Sequence, residues 1–195
     1  PADGEILEVS QLGSPTSIRV VIAHGCDTYS VYMVLNRLSG ALATLEDELM
    51  ARGSLAPHVQ ILAGDEFGRQ RDNPLDFSVH DGAAWLPGYL GPFSYTTLES
   101  WKPYTVDPWA AFSPDLTDAY MAQMQRVAAP RWGRIDLDVR GTASGNWFLD
   151  GTMGYSGQPE APLRANPTGP LANGQVDGKL TYAWSHLALA PHWVQ

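Results

Sequence analysis

One cysteine, Cys26, stands in 195 residues. That excludes an intrachain disulfide and any CxxC metal pair. Positive charge is also scarce: Lys and Arg number 12 against 21 Asp and Glu, a formal net charge of −9. The basic residues are scattered singly, so the basic patch of a nucleic-acid binder is missing. Anionic membrane surfaces are disfavoured for the same reason. No run of about 18 apolar residues occurs, so no membrane-spanning helix is expected. The G-x-S-x-G elbow, the Walker loop, G-x-G-x-x-G and H-E-x-x-H are absent; Gly141-Thr-Ala-Ser-Gly145 has the wrong spacing for the elbow. The chain opens at Pro1 without Met and stops at Gln195 after an apolar run. Both ends are expected to be edges of a longer protein.

Hydrophobic residues make up 44% of the chain and charged ones 17%, the reverse of a disordered composition. With 19 Gly and 15 Pro the chain turns often, which favours short strands. Residues 5–12, 18–24, 29–35, 59–63 and 75–79 read as strands by β-branched content and alternation. Leu42, Leu45, Leu49 and Met50 recur at helical spacing within residues 39–51, ended by Gly53. Ser113-Pro114-Asp115 opens a second helix, expected over 115–127 and stopped by Pro130. Residues 82–112, rich in Pro, Gly, Trp and Tyr, read as a long ordered loop. Ile135, Leu137 and Val139 alternate with Asp136, Asp138 and Arg140, which predicts a half-buried strand whose two carboxylates face solvent. Residues 146–149 and 180–190 are further strands, with a Gly/Pro/Asn-rich loop at 154–178.

Four landmarks carry a resemblance over residues 1–80. Pro1-Ala-Asp-Gly4 precedes a strand, Ser30-Val-Tyr-Met-Val-Leu35 follows, then Val59–Gly68, then Asn73-Pro-Leu-Asp-Phe-Ser-Val79. In that order they resemble the A-P-A-D-G entry, the Tyr-x-His-Leu strand, the v-x-x-G-x-x-I-G hairpin and the H-L-H-F-E-V strand of lysostaphin-type (M23 family) zinc peptidases. The resemblance implies a mainly β fold: a β-sandwich of the duplicated hybrid motif with one or two short helices, plus a small C-terminal β unit. The expected division is 1–112 for the M23-like domain with its aromatic loop, 113–132 for a helical connector, and 133–195 for the small β domain. Zinc chemistry in that family needs ligands and acid–base histidines. The matching positions hold Pro74, Asp76 and Val34, and the remaining ligand pair would precede Pro1. Gly141-Thr-Ala-Ser-Gly-Asn-Trp-Phe-Leu-Asp-Gly151 resembles a tail found in uncharacterised bacterial proteins of this kind.

The residue types left give three expectations. The first, implied by the resemblance, is a non-catalytic binding or scaffolding protein of the cell envelope or extracellular space. It would lack a cofactor and would bind cell-wall glycan, peptide or a protein partner. Trp85, Tyr89, Tyr95, Trp101 and Tyr104 are its candidate binding residues, since exposed aromatics stack on sugars and anchor interfaces; the plainer reading is a small core beneath the loop. The second is a hydrolase, with or without a non-standard metal ion, using Asp76, His80 and Asp81 near one strand end. Asp76 and His80 share a face by alternation; the plainer reading is a set of polar groups closing a turn. The third is an oligomerisation module with an apolar patch around residues 85–109. His24 and Cys26 read as a strand-end histidine beside a small buried thiol rather than a reactive pair. His186 and His192 lack the spacing of a zinc site, and Asn146-Trp147-Phe148 reads as core.

Overall fold

The computed structural model describes residues 2–12, 16–71, 74–95, 101–148 and 186–190. His192, the loop 154–178 and residues 180–185 of the last expected strand lie outside them. The chain divides into two units: Pro1–Ala84 with Thr105–Gln123, and Trp85–Tyr104 with Met124–Gln195. The division differs from one made along the sequence. The aromatic loop is shared between the units, and the second helix belongs wholly to the first. The fold is mainly β with two short helices.

In the first unit, strands β1 (Gly4–Gln11), β2 (Ile18–Ala23) and β3 (Thr28–Leu35) form an antiparallel meander. Beyond it lie β4 (Arg37–Leu38), β5 (Ser54–Leu55), β6 (Val59–Ile61), β7 (Gly68–Arg69), β8 (Asp76–Asp81) and β9 (Thr105–Val106). The seven-stranded sheet runs β5-β1-β2-β3-β8-β9, with β6 also on β1, while β4 and β7 pair separately. The run at 18–23 is apolar at almost every position, yet it alternates in space: Ile18, Val20 and Ile22 are buried and their neighbours are not. A bulge at Leu7 resets the phase of β1, so Ile6 and Val9, three apart, both face the core.

Helix α1 (Glu46–Arg52) follows a 3₁₀ turn at Gly40–Leu45. Leu42 and Leu49, one heptad apart, are both fully buried and join Ile6, Val9, Val20 and Leu38 in the core. Gly53, at φ 76°, ends α1 by donating its N–H to the Leu49 carbonyl. The layer over this sheet face is thus built from α1, its 3₁₀ turn and the β4–β7 ladder.

A second bulge sets Met33 and Val34 opposite Arg19 on β2. Val34 takes φ 68° there. Left-handed backbone costs an ordinary L-residue roughly 1–2 kcal/mol, and a β-branched one pays in full. Val34→Asn is therefore expected to raise stability by about 1 kcal/mol, since Asn tolerates this conformation. Urea denaturation followed by circular dichroism reads it; a lower midpoint would show that packing of the valine methyls outweighs the strain.

Helix α2 (Pro114–Gln123) ends four residues before the expected stop. Its Tyr120 stacks on Trp109 and Phe112 at 5.0 and 5.7 Å, and Phe112 meets Phe77 of β8 at 5.9 Å. It is an integral part of the first unit rather than a connector.

In the second unit, β10 (Gly145–Phe148) and β11 (His186–Leu189) pair antiparallel. The strand expected at 135–139 does not form. Asp136 is 1% exposed, whereas Ile135 and Val139 are 39% and 49% exposed, the inverse of the sequence reading. The reason lies in Gly88 and Leu90, whose backbone N–H groups take the two carboxylates as acceptors. Gly88 N–H donates to Asp136 Oδ2 at 2.9 Å and Leu90 N–H to Asp138 Oδ2 at 2.8 Å. Arg134 adds a two-pronged bond to Asp136. Trp147 is also half exposed, with its indole N–H on the Ala143 carbonyl; only Phe148 turns inward, onto Tyr95 at 5.5 Å.

Candidate functional site

The strands of the first unit put three polar residues on one sheet face. Thr28, Ser30 and Tyr32 alternate along β3 and so point the same way. Ser30 lies between Ile22 of β2 and Val79 of β8, and Tyr32 opposite Phe77. His24, just past the end of β2, reaches over this face. Its Nε2 lies 2.7 Å from Ser30 Oγ and its Nδ1 3.0 Å from the Asp3 carbonyl. A carbonyl only accepts, so Nδ1 carries a proton, and in the neutral ring Nε2 is the acceptor for the Ser30 hydroxyl. Burial raises the pKa of the Tyr32 phenol, and a hydrogen bond with Ser30 offsets part of that rise.

The entry segment explains how His24 is held. The Asp3 carbonyl takes the imidazole N–H, while Asp3 Oδ1 accepts the Ala63 N–H at 2.8 Å. A Cβ on Gly4 would come within 3.0 Å of His24 Nδ1 and closer still to Ile22, so glycine lets β1 pass. Ala-Asp-Gly is a packing device that seats the histidine.

Around this group lies a pocket of about 260 Å³. Ile22, Ile61, Phe67, Phe77, Val79 and Phe112 form its walls, and His24, Thr28, Ser30 and Asp65 its polar positions. The Tyr32 ring contacts Phe67 and Phe77 at 4.9 and 4.8 Å. Apolar walls with a few convergent polar groups are the usual build of a small-ligand site.

The residues expected from sequence lie elsewhere or apart. Asp76 and His80 do share a face of β8, but four steps of strand rise separate them by about 13 Å. His80 is buried between hydroxyls, Ser78 Oγ at 2.9 Å and Thr105 Oγ1 at 3.3 Å. Asp81, on the opposite face, accepts the Ala83 N–H and closes a turn. Among the described residues no three His, Cys, Asp or Glu side chains gather as a metal site. Cys26 is exposed rather than buried.

The five aromatics divide. Tyr89 and Tyr95 are buried against each other, ring centres 4.7 Å apart. Burial, with the nearby Asp138 charge, pushes the Tyr95 phenol pKa up. Neither ring is open to a sugar. Trp85 is half exposed and edge-on to Tyr104 at 5.4 Å, and Trp101 carries Lys102 over its face at 5.5 Å.

Ser30 and Tyr32 were not legible as site residues, although Thr-x-Ser-x-Tyr beside a histidine is the pattern a one-sided polar strand leaves. No protein-family model matches the chain, and neither the curated proteins nor the solved structures contain a match. The structure defines a mainly β protein of two units, the first carrying an apolar pocket with a Ser–His–Tyr end. Among its described residues no helix is long and apolar enough to cross a membrane.

Proposed function

We propose that this chain is a binding protein whose first unit takes an apolar side chain of a peptide or protein partner into the pocket above β3 and β8. The observation that carries this is the lining: mostly aliphatic and aromatic side chains around a few polar groups. A sugar ring, with a hydroxyl on most carbons, would leave unpaired groups against such walls. An apolar side chain buries there, and its backbone amides find His24, Ser30 and Asp65. The resemblance to M23 peptidases, with Pro74, Asp76 and Val34 at the chemical positions, fits a groove kept for binding.

Blocked tripeptides with a central Leu, Phe or Ser test the reading by ligand-observed NMR. Leu or Phe peptides are expected to bind and Ser peptides to bind at least tenfold more weakly, since burying such a side chain contributes about 1.5–3 kcal/mol. Val79→Trp, which fills the pocket, should abolish binding. Chitooligosaccharide binding that survives Val79→Trp would sink the proposal and favour the exposed Trp85.

One observation favours a hydrolase as a second reading. Ser30, His24 and the Asp3 carbonyl stand as nucleophile, base and orienting group. A fluorophosphonate adduct on Ser30, seen by intact mass and lost in His24→Ala, would establish it; an unlabelled protein rules it out.

A further inference from the structure

The basic residues are scattered in sequence, yet three of them meet on the β4–β7 ladder. Arg37 stands directly opposite Arg69, and Arg71 follows two residues later. The backbone there is tied in place: Asn36 N–H donates to the Arg69 carbonyl at 2.9 Å, and the Arg71 N–H to Asn36 Oδ1. Asn36, Arg37, Arg69, Gln70 and Arg71 line an open cavity of about 420 Å³. It shares no lining residue with the apolar pocket.

Like charges directly opposite on an antiparallel pair repel. Glu66 accepts the Arg69 Nε–H at 2.7 Å, and its charge also acts on Arg37. Among the described residues Arg37 and Arg71 have no ion-pair partner. Among the described residues, three guanidiniums stand against one carboxylate here, an excess of two positive charges in a chain whose net charge is −9. The overall field disfavours loose adhesion of polyanions, so an anion held here is held by short-range contacts.

We propose that this cavity binds a phosphate dianion, free or as a phosphomonoester. Three guanidiniums around one described carboxylate favour a doubly charged oxyanion over a single carboxylate. The planar fork of each arginine fits a pair of phosphate oxygens, and an anion between Arg37 and Arg69 converts their repulsion into a shared attraction.

The test is a titration of the full chain with sodium phosphate at pH 8, ionic strength held constant with sodium chloride, followed by NMR of the arginine Nε–H signals. Saturable shifts at Arg37 and Arg71 are expected, with acetate producing little. Arg37→Ala and Arg71→Ala should each weaken phosphate binding about tenfold, the scale of one charge-assisted hydrogen bond. Arg37→Lys, which keeps the charge and removes the fork, should weaken it several-fold and leaves the fold untouched. Tighter binding of glycerol 3-phosphate than of orthophosphate would identify an ester-borne phosphate, and equal binding the free ion. An equal response to acetate or chloride, or variants that bind phosphate as the parent does, would overturn the proposal.

Discussion

Asp136→Ala is expected to destabilise the second unit by about 3 kcal/mol, the range found when one member of a buried ion pair is removed. The carboxylate is 1% exposed and accepts three bonds, two from Arg134 and one from the Gly88 N–H. A guanidinium keeps its proton at any ordinary pH, so Arg134 stays charged when its partner is gone. Arg134 retains some access to water, with 37% of its side chain exposed, which keeps the loss at the lower end of that range. The Gly88 N–H loses its acceptor as well. Glycine is required there because a Cβ would land on the Asp136 carbonyl, so the loop approaches too closely to turn its amide elsewhere. Thermal unfolding gives the total, and hydrogen exchange at Gly88 localises it. Asp136→Asn should recover part of the loss by keeping one acceptor. A change below about 1 kcal/mol would mean that both donors rehydrate and that the carboxylate is peripheral to the unit.

Gly40→Ala should cost the first unit about 2–3 kcal/mol, summing left-handed strain with a lost backbone bond. Gly40 takes φ 50°, and a Cβ built on it would sit on the Glu66 carbonyl. That carbonyl accepts the Ala41 N–H at 2.9 Å, beside a bond from Ser39 N–H to the Phe67 carbonyl at 3.1 Å. An added methyl pushes residues 39–41 away from 66–67 and opens the lid over Leu42. Because the same movement parts β4 from β7, the variant should also lose phosphate binding. Urea denaturation measures the first effect, and a stability change under about 1 kcal/mol would show that the turn relaxes without loss.

Most of the elements were legible in the residues themselves. The strands at 4–11, 18–23, 28–35 and 76–81 follow from β-branched content, and Gly53 marks the end of α1 as its lack of a Cβ requires. Pairs such as β4–β7 and β8–β9 were not, because two residues carry no period. The carboxylates at 136 and 138 misled for a different reason. Alternation announces an extended backbone with two unlike faces, and water is only the default partner of the polar face. Here Gly88 and Leu90, nearly fifty positions away, offer amides that bind the carboxylates more completely than solvent does.

The site follows the same division. Composition and motif spacing established a chain without an intrachain disulfide and without the common catalytic motifs, and hydrophobic patterning a mainly β one. Those conclusions rest on which atoms are present, and folding cannot alter them. Everything about meeting was decided by the pairing of strands. Register placed Ser30 between Ile22 and Val79, brought His24 onto it from the neighbouring strand, carried Asp76 and His80 apart along β8, and set Arg37 against Arg69. A side chain's chemistry is local to its residue, whereas its partners are chosen by contacts between segments that lie tens of residues apart.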